Sequence, residues 1–115
     1  MSAPILYFAF NRPIHTKHSL ESLISNEECK STDFFGFIDG PRHKDDKQNI
    51  NKVITVIKEY QSYFKSFTLS TNSTNKGCSQ QSIDTLNEFC KTYEHFIYLE
   101  DDNVVSPFFL AFLNT

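Results

Sequence analysis

Short apolar runs alternating with stretches of helical period leave this chain few folds to adopt. The first run, residues 4–10 (Pro-Ile-Leu-Tyr-Phe-Ala-Phe), is continuously apolar and stops at the turn signal Asn11-Arg12-Pro13. Such a run suits a strand buried on both faces, as in a parallel sheet. The period then changes. Leu20, Leu23 and Ile24 share one helical face and Lys17, His18, Glu21 and Ser25 take the other, which predicts a helix over residues 14–29.

The alternation continues along the chain. Residues 33–39 (Asp-Phe-Phe-Gly-Phe-Ile-Asp) form a second apolar strand that ends at Asp39-Gly40-Pro41, and a polar loop, residues 42–46, follows. Ile50, Val53, Ile54, Ile57 and Tyr60 then step by three or four, with Lys52, Lys58 and Glu59 off the stripe: a second helix. Residues 64–71 alternate, Phe67 and Leu69 against Ser66, Thr68 and Ser70, as a third strand does. The turn formers of residues 72–77 lead to a helix over 78–93, with Ile83, Leu86, Phe89, Cys90 and Tyr93 facing inward. Residues 95–99 make a fourth strand, and residues 106–113 begin another helix. Four strands alternating with helices predict a Rossmann-like α/β fold: three layers, a parallel sheet in the order 3-2-1-4, right-handed crossovers. At 115 residues the chain is one domain with one core.

Composition excludes several classes of function. Net charge is -3 and no basic face is evident, which argues against a nucleic-acid or anionic-membrane partner. No apolar stretch is long enough for a transmembrane segment, and Met1-Ser2-Ala3-Pro4 lacks the basic start of a signal peptide. Cys29, Cys78 and Cys90 are odd in number and lack metal-ligand spacing, so they read as free thiols in a reducing compartment. The expected location is cytoplasmic, in solution or at the inner face of the membrane. His15 and His18 read as exposed helix surface, Cys78 as an incidental thiol at a helix start, and the loop 42–46 as solvated, with Arg42 or Lys44 able to close over a bound nucleotide.

Each strand ends in a chemically useful group: Asn11-Arg12, Asp39-Gly40, the Asn75-Lys76-Gly77 loop, and Glu100-Asp101-Asp102. In a parallel sheet these ends lie on one edge, where open α/β sheets bind ligands beside the point at which strand order reverses. A guanidinium fork bridges phosphate oxygens, and hard dications take carboxylate, phosphate and water oxygens. Asp39 can accept from a nucleobase or ribose, and Gly77 lets backbone N–H groups approach phosphate. Lys76 either contacts phosphate or only solvates its loop.

The run Leu99-Glu100-Asp101-Asp102-Asn103-Val104-Val105-Ser106-Pro107-Phe108-Phe109 resembles the metal-binding (DXD-type) segment of glycosyltransferases with the A-type fold, in particular those like N-acetylglucosaminyltransferase I. The Asn-Arg-Pro start, the Asp-Gly-Pro turn and the Asn-x-Gly loop are similar to bacterial family 2-like relatives. The resemblance covers residues 3–113 and implies a donor-binding half: Asp102 ligates Mn²⁺ or Mg²⁺, Glu100 and Asp101 hold the sugar or the metal's water, and Asn11, Arg12, Asp39 and Lys76 hold the nucleotide. It implies a UDP-linked sugar donor and a carbohydrate or glycoconjugate acceptor. In that family the general base lies past the metal segment, and 13 residues, 103–115, follow Asp102 here. No catalytic residue is therefore assigned, and the chain alone is expected to bind nucleotide without transferring sugar. The alternative is a truncated, non-catalytic nucleotide-binding or interaction module; a receiver-type signalling domain fits less well, because its acids follow other strands. The aromatic end, Phe108 to Leu113, is expected to be exposed and to favour self-association.

Overall fold

The computed structural model describes residues 3–114, and within them not the side chains of residues 78–82, so the expectation for the Cys78 thiol lies outside the described residues. Four parallel strands form one sheet: β1 (Ile5–Ala9), β2 (Asp33–Ile38), β3 (Ser66–Thr71) and β4 (Ile97–Glu100), in the order β3-β2-β1-β4. They alternate with α1 (Pro13–Ile24), α2 (Asp46–Lys58) and α3 (Cys78–Phe89), and α4 (Phe109–Leu113) follows β4. The register pairs Tyr7 with both Gly36 and Leu99, and Phe8 with Glu100.

The apolar pattern explains the order. β1, apolar throughout, is central and buried along its whole length. β3, which alternates, is an edge strand with Phe67 and Leu69 half-buried and its polar residues exposed. On one face Tyr7 packs against Phe34 at 5.6 Å, over Leu20 and Leu23 of α1 and Val53 and Ile57 of α2. Each such buried side chain contributes about 1.5–3 kcal/mol. On the other face Phe8 stacks between Phe37 and Tyr98 at 5.2 and 4.9 Å, and Phe89 of α3 meets Phe35 and Phe37 edge-on. The helices thus sit in layers on both faces.

Several boundaries differ from expectation. α1 stops at Ile24, and a 3₁₀ turn, Glu27–Ser31, follows. Asn26 breaks the helix: its backbone is extended and its buried side chain is engaged elsewhere. α3 ends at Phe89, with Ile83 and Cys90 exposed rather than inward. β4 begins at Ile97, and the last helix at Phe109 rather than 106. The aromatic end divides: Leu110 is fully buried, while Phe108 and Phe112 are 76% and 77% exposed. Among the described residues no helix is long and apolar enough to cross a membrane.

Candidate functional site

The chain runs outward from β1 through β2 to β3, then crosses back to β4 on the other side of β1. The strand order reverses between β1 and β4, so their carboxyl ends splay around a crevice. Pro13 at the first helical position starts α1 directly after β1, which fixes Arg12 as the cap residue at the sheet edge. Thr16 returns both its N–H and its hydroxyl to the Arg12 carbonyl, at 3.0 and 2.7 Å. Across the crevice, Asp101 continues the β4 ladder by donating its N–H to the Phe8 carbonyl at 3.0 Å. Its carboxylate meets the guanidinium: Arg12 Nη2 donates to Asp101 Oδ1 at 2.6 Å. This bond, and the charge of Asp101 behind it, raise the Arg12 pKa, so the guanidinium stays cationic. Near the pair lies the buried Tyr7 hydroxyl; burial pushes its pKa upward, and the Ser19 hydroxyl opposes that shift.

A cleft of about 330 Å³ opens here, bounded by the end of β1, Asp39, Arg42, the 75–77 turn and the Glu100–Asp101 step. Asn11, Arg12, Asp39, Glu100 and Asp101, five residues marked out by sequence, all line it. A larger depression of about 870 Å³ lies beyond Arg12, between α1 and α2. No carboxylate lines it, so the groups suited to cation and phosphate chemistry meet in the smaller cleft.

Asp39 does not present a free carboxylate. It is buried, and Oδ1 accepts the Gly40 N–H at 2.8 Å, the Lys76 N–H at 3.0 Å and Asn72 Nδ2 at 3.1 Å. Oδ2 accepts the Gly77 N–H at 3.0 Å and Asn75 Nδ2 at 3.1 Å. Asp39 therefore moulds the 72–77 loop into a wall of the cleft, and both its oxygens are saturated by that work. Gly40 is required beside it, because a Cβ there would lie 2.5 Å from the backbone of Thr74. Gly77 opens α3 at φ +82°, a conformation that L side chains rarely adopt. The Lys76 side chain turns to α3, its Nζ lying 3.7 Å from Asp84.

Asn11 is tied as well: Nδ2 donates to Asp46 Oδ1 at 2.9 Å. Asp46 Oδ2 accepts the Arg42 and His43 N–H groups at 2.9 and 3.3 Å. The Asn11 bond, then these backbone bonds and the Arg42 charge, hold the Asp46 pKa below its ordinary value. Arg42 lies over the Phe10 ring at 4.9 Å. The loop read as a solvated turn is thus fastened to the end of β1 by a buried carboxylate. The signal for it was an Asp at a helix start three and four residues after two N–H groups that lack helical partners.

The three consecutive acids separate. Asp101 points inward to Arg12. Glu100 stays near the rim, accepting the Tyr98 hydroxyl at 3.0 Å, and its N–H donates to Asn103 Oδ1 at 2.8 Å. Asp102 is exposed and makes no hydrogen bond among the described residues. No group of three or more His, Cys, Asp or Glu among the described residues forms a ready cage for a metal ion. Glu100 and Asp102 are the two carboxylates of this turn that are not bonded to Arg12, and carboxylate oxygens are the kind of ligand a hard dication takes.

No protein-family model matches the chain, and no curated protein sequence does. Among solved structures it is similar to the crystal structure of S. aureus TarS residues 1–349, with a TM-score of 0.73 and 14% identity. The match covers 99% of this chain and 31% of that one, so this chain spans less than a third of the neighbour's length. At that identity the likeness shows a shared fold.

Proposed function

We propose that this chain is the donor-binding part of a glycosyltransferase, its carboxyl-edge cleft receiving a nucleoside-diphosphate sugar together with Mn²⁺ or Mg²⁺. The observation that carries this reading is the meeting of Arg12 with the acidic turn across the β1–β4 crevice. The shared fold with TarS, a staphylococcal glycosyltransferase, supports it.

Arg12 spends one nitrogen on Asp101 and is 45% exposed, so the rest of its fork is open to the oxygens of a diphosphate. Asp102 and Glu100 offer carboxylate oxygens at the rim that would hold a hard dication, which would supply positive charge to a departing diphosphate. Asp39 takes a revised role. Its oxygens are committed, so the nucleoside would meet the loop that Asp39 shapes and the Phe10–Arg42 stack. The chain so arranged binds and orients the donor; no side chain in the cleft is assigned as the general base.

Calorimetric titration of UDP into the chain, with Mn²⁺ and again with EDTA, tests this. Binding that strengthens with Mn²⁺, weakens in Arg12→Lys and loses its Mn²⁺ dependence in Asp102→Ala is the expected result. An Asp102→Ala variant with the wild-type Mn²⁺ response would remove Asp102 from the site. No binding under either condition would overturn the reading.

A further inference from the structure

The segment that carries Asp102 has no ladder of its own. Between the end of β4 at Glu100 and the start of α4 at Phe109 the backbone is irregular, and its polar groups still need partners. One row of side chains along and just past α1 supplies them. The Ser19 hydroxyl reaches the Glu100 carbonyl at 3.5 Å. The Ser22 hydroxyl accepts the Val105 N–H at 3.0 Å and donates to the Ser19 carbonyl at 2.7 Å. Asn26 donates from Nδ2 to the Ser106 carbonyl and accepts the Leu110 N–H at Oδ1, both at 3.0 Å. Positions 19, 22 and 26 step by three and four, the spacing of one helical face. Ser19 and Asn26 are only 2% and 1% exposed. Buried polar side chains are costly unless they are hydrogen-bonded, and an apolar row would fill the same space more cheaply.

We infer that Ser19, Ser22 and Asn26 are positioning residues for the cation-binding turn. Ser22 and Asn26 pin the backbone at Val105 and Ser106 after Asp102, and Ser19 makes a longer contact of 3.5 Å with the Glu100 carbonyl before it, so the exposed Asp102 carboxylate is presented from a fixed base. This inference rests on the proposed role of Asp102. A merely structural row would affect stability without affecting the cation.

The test compares Ser22→Ala with Ser22→Thr, which keeps the hydroxyl. Ser22 is half-buried, so both variants are expected to fold, and a melting curve checks this. In Ser22→Ala the amides of residues 102–106 should exchange with solvent roughly tenfold faster, and Mn²⁺-dependent UDP affinity should fall about threefold or more, as the loss of one hydrogen bond allows. Affinity in EDTA should stay unchanged, and Ser22→Thr should restore both effects. Wild-type exchange and a wild-type Mn²⁺ response in Ser22→Ala would overturn the inference, as would a Ser22→Thr variant that behaves like Ser22→Ala. Absence of Mn²⁺-dependent binding in the wild-type chain would instead overturn the reading of the site and the cation half of this inference, while the exchange rates would still decide whether the row fixes the turn.

Discussion

Arg12 and Asp101 bond at 2.6 Å across 89 positions of sequence, one side chain 45% exposed and the other 6%. The pair is therefore asymmetric. Deleting the arginine strands a carboxylate out of water, whereas neutralising the aspartate releases a guanidinium into it. Arg12→Ala should cost about 1–3 kcal/mol and Asp101→Asn less than about 1 kcal/mol. Urea denaturation of the two variants measures the difference, and equal costs would show that Asp101 is better solvated than its burial implies.

Asp39 holds five donors with two oxygens, and an amide cannot replace it. In Asp39→Asn one acceptor oxygen becomes a donor facing other donors. The loss should be roughly 1–3 kcal/mol or more, with NMR signals of residues 72–77 shifting while those of α1 stay in place. Gly40→Ala should show the same pattern of shifts, since its Cβ would collide with the Thr74 backbone. Shifts spread evenly over the whole chain would contradict this local role.

Asp46 makes stability depend on pH. Its folded pKa is lowered from 3.8, first by the Asn11 hydrogen bond. In the unfolded chain the carboxyl binds its proton at higher pH, so the stabilisation is fully present above 3.8 and is lost as pH falls through the depressed value. Asn11→Ala removes the largest cause of the shift. Circular dichroism between neutral pH and about pH 2 should therefore show Asn11→Ala unfolding at a higher pH than wild type. Coincident acid transitions would rule out this contribution.

The thiols should separate by reactivity. Cys29 is buried, its sulfur 3.3 Å from the Leu23 carbonyl, and burial pushes its pKa up to about 12. Cys90 is exposed. Alkylation at pH 8 followed by peptide mass analysis should label Cys90 in the native chain and Cys29 only after denaturation, because the thiolate is the nucleophile. Rapid native labelling of Cys29 would mean that the 3₁₀ turn around it opens readily.

Much of the architecture was legible from period alone. The unbroken apolar character of β1 marked the centre of the sheet, and the alternation in residues 66–71 marked an edge. The meeting of Arg12 with the acids followed from the order 3-2-1-4. Periodicity tells which way a residue faces but not what it touches, and the site expectations diverge at that point. Asp39 and Asn11, read as donor-binding, also hydrogen-bond the 72–77 loop and Asp46, and the Lys76 amine lies 3.7 Å from Asp84. Ser19, Ser22 and Asn26 went unremarked because small polar residues beside an apolar stripe look like its border. Their partners lie about eighty positions away, where no local pattern reaches.

The chain contains no Trp, so its five Tyr side chains dominate its near-ultraviolet absorption and emission. Tyr98, on β4, donates its phenol hydroxyl to Glu100, one of the two carboxylates proposed to hold a cation. Withdrawing that acceptor would change the hydrogen bonding of the phenol, to which tyrosine spectra respond. On the proposed reading, cation binding would therefore carry its own optical reporter, readable without a label, and Tyr98→Phe would silence that signal while leaving both carboxylates in place.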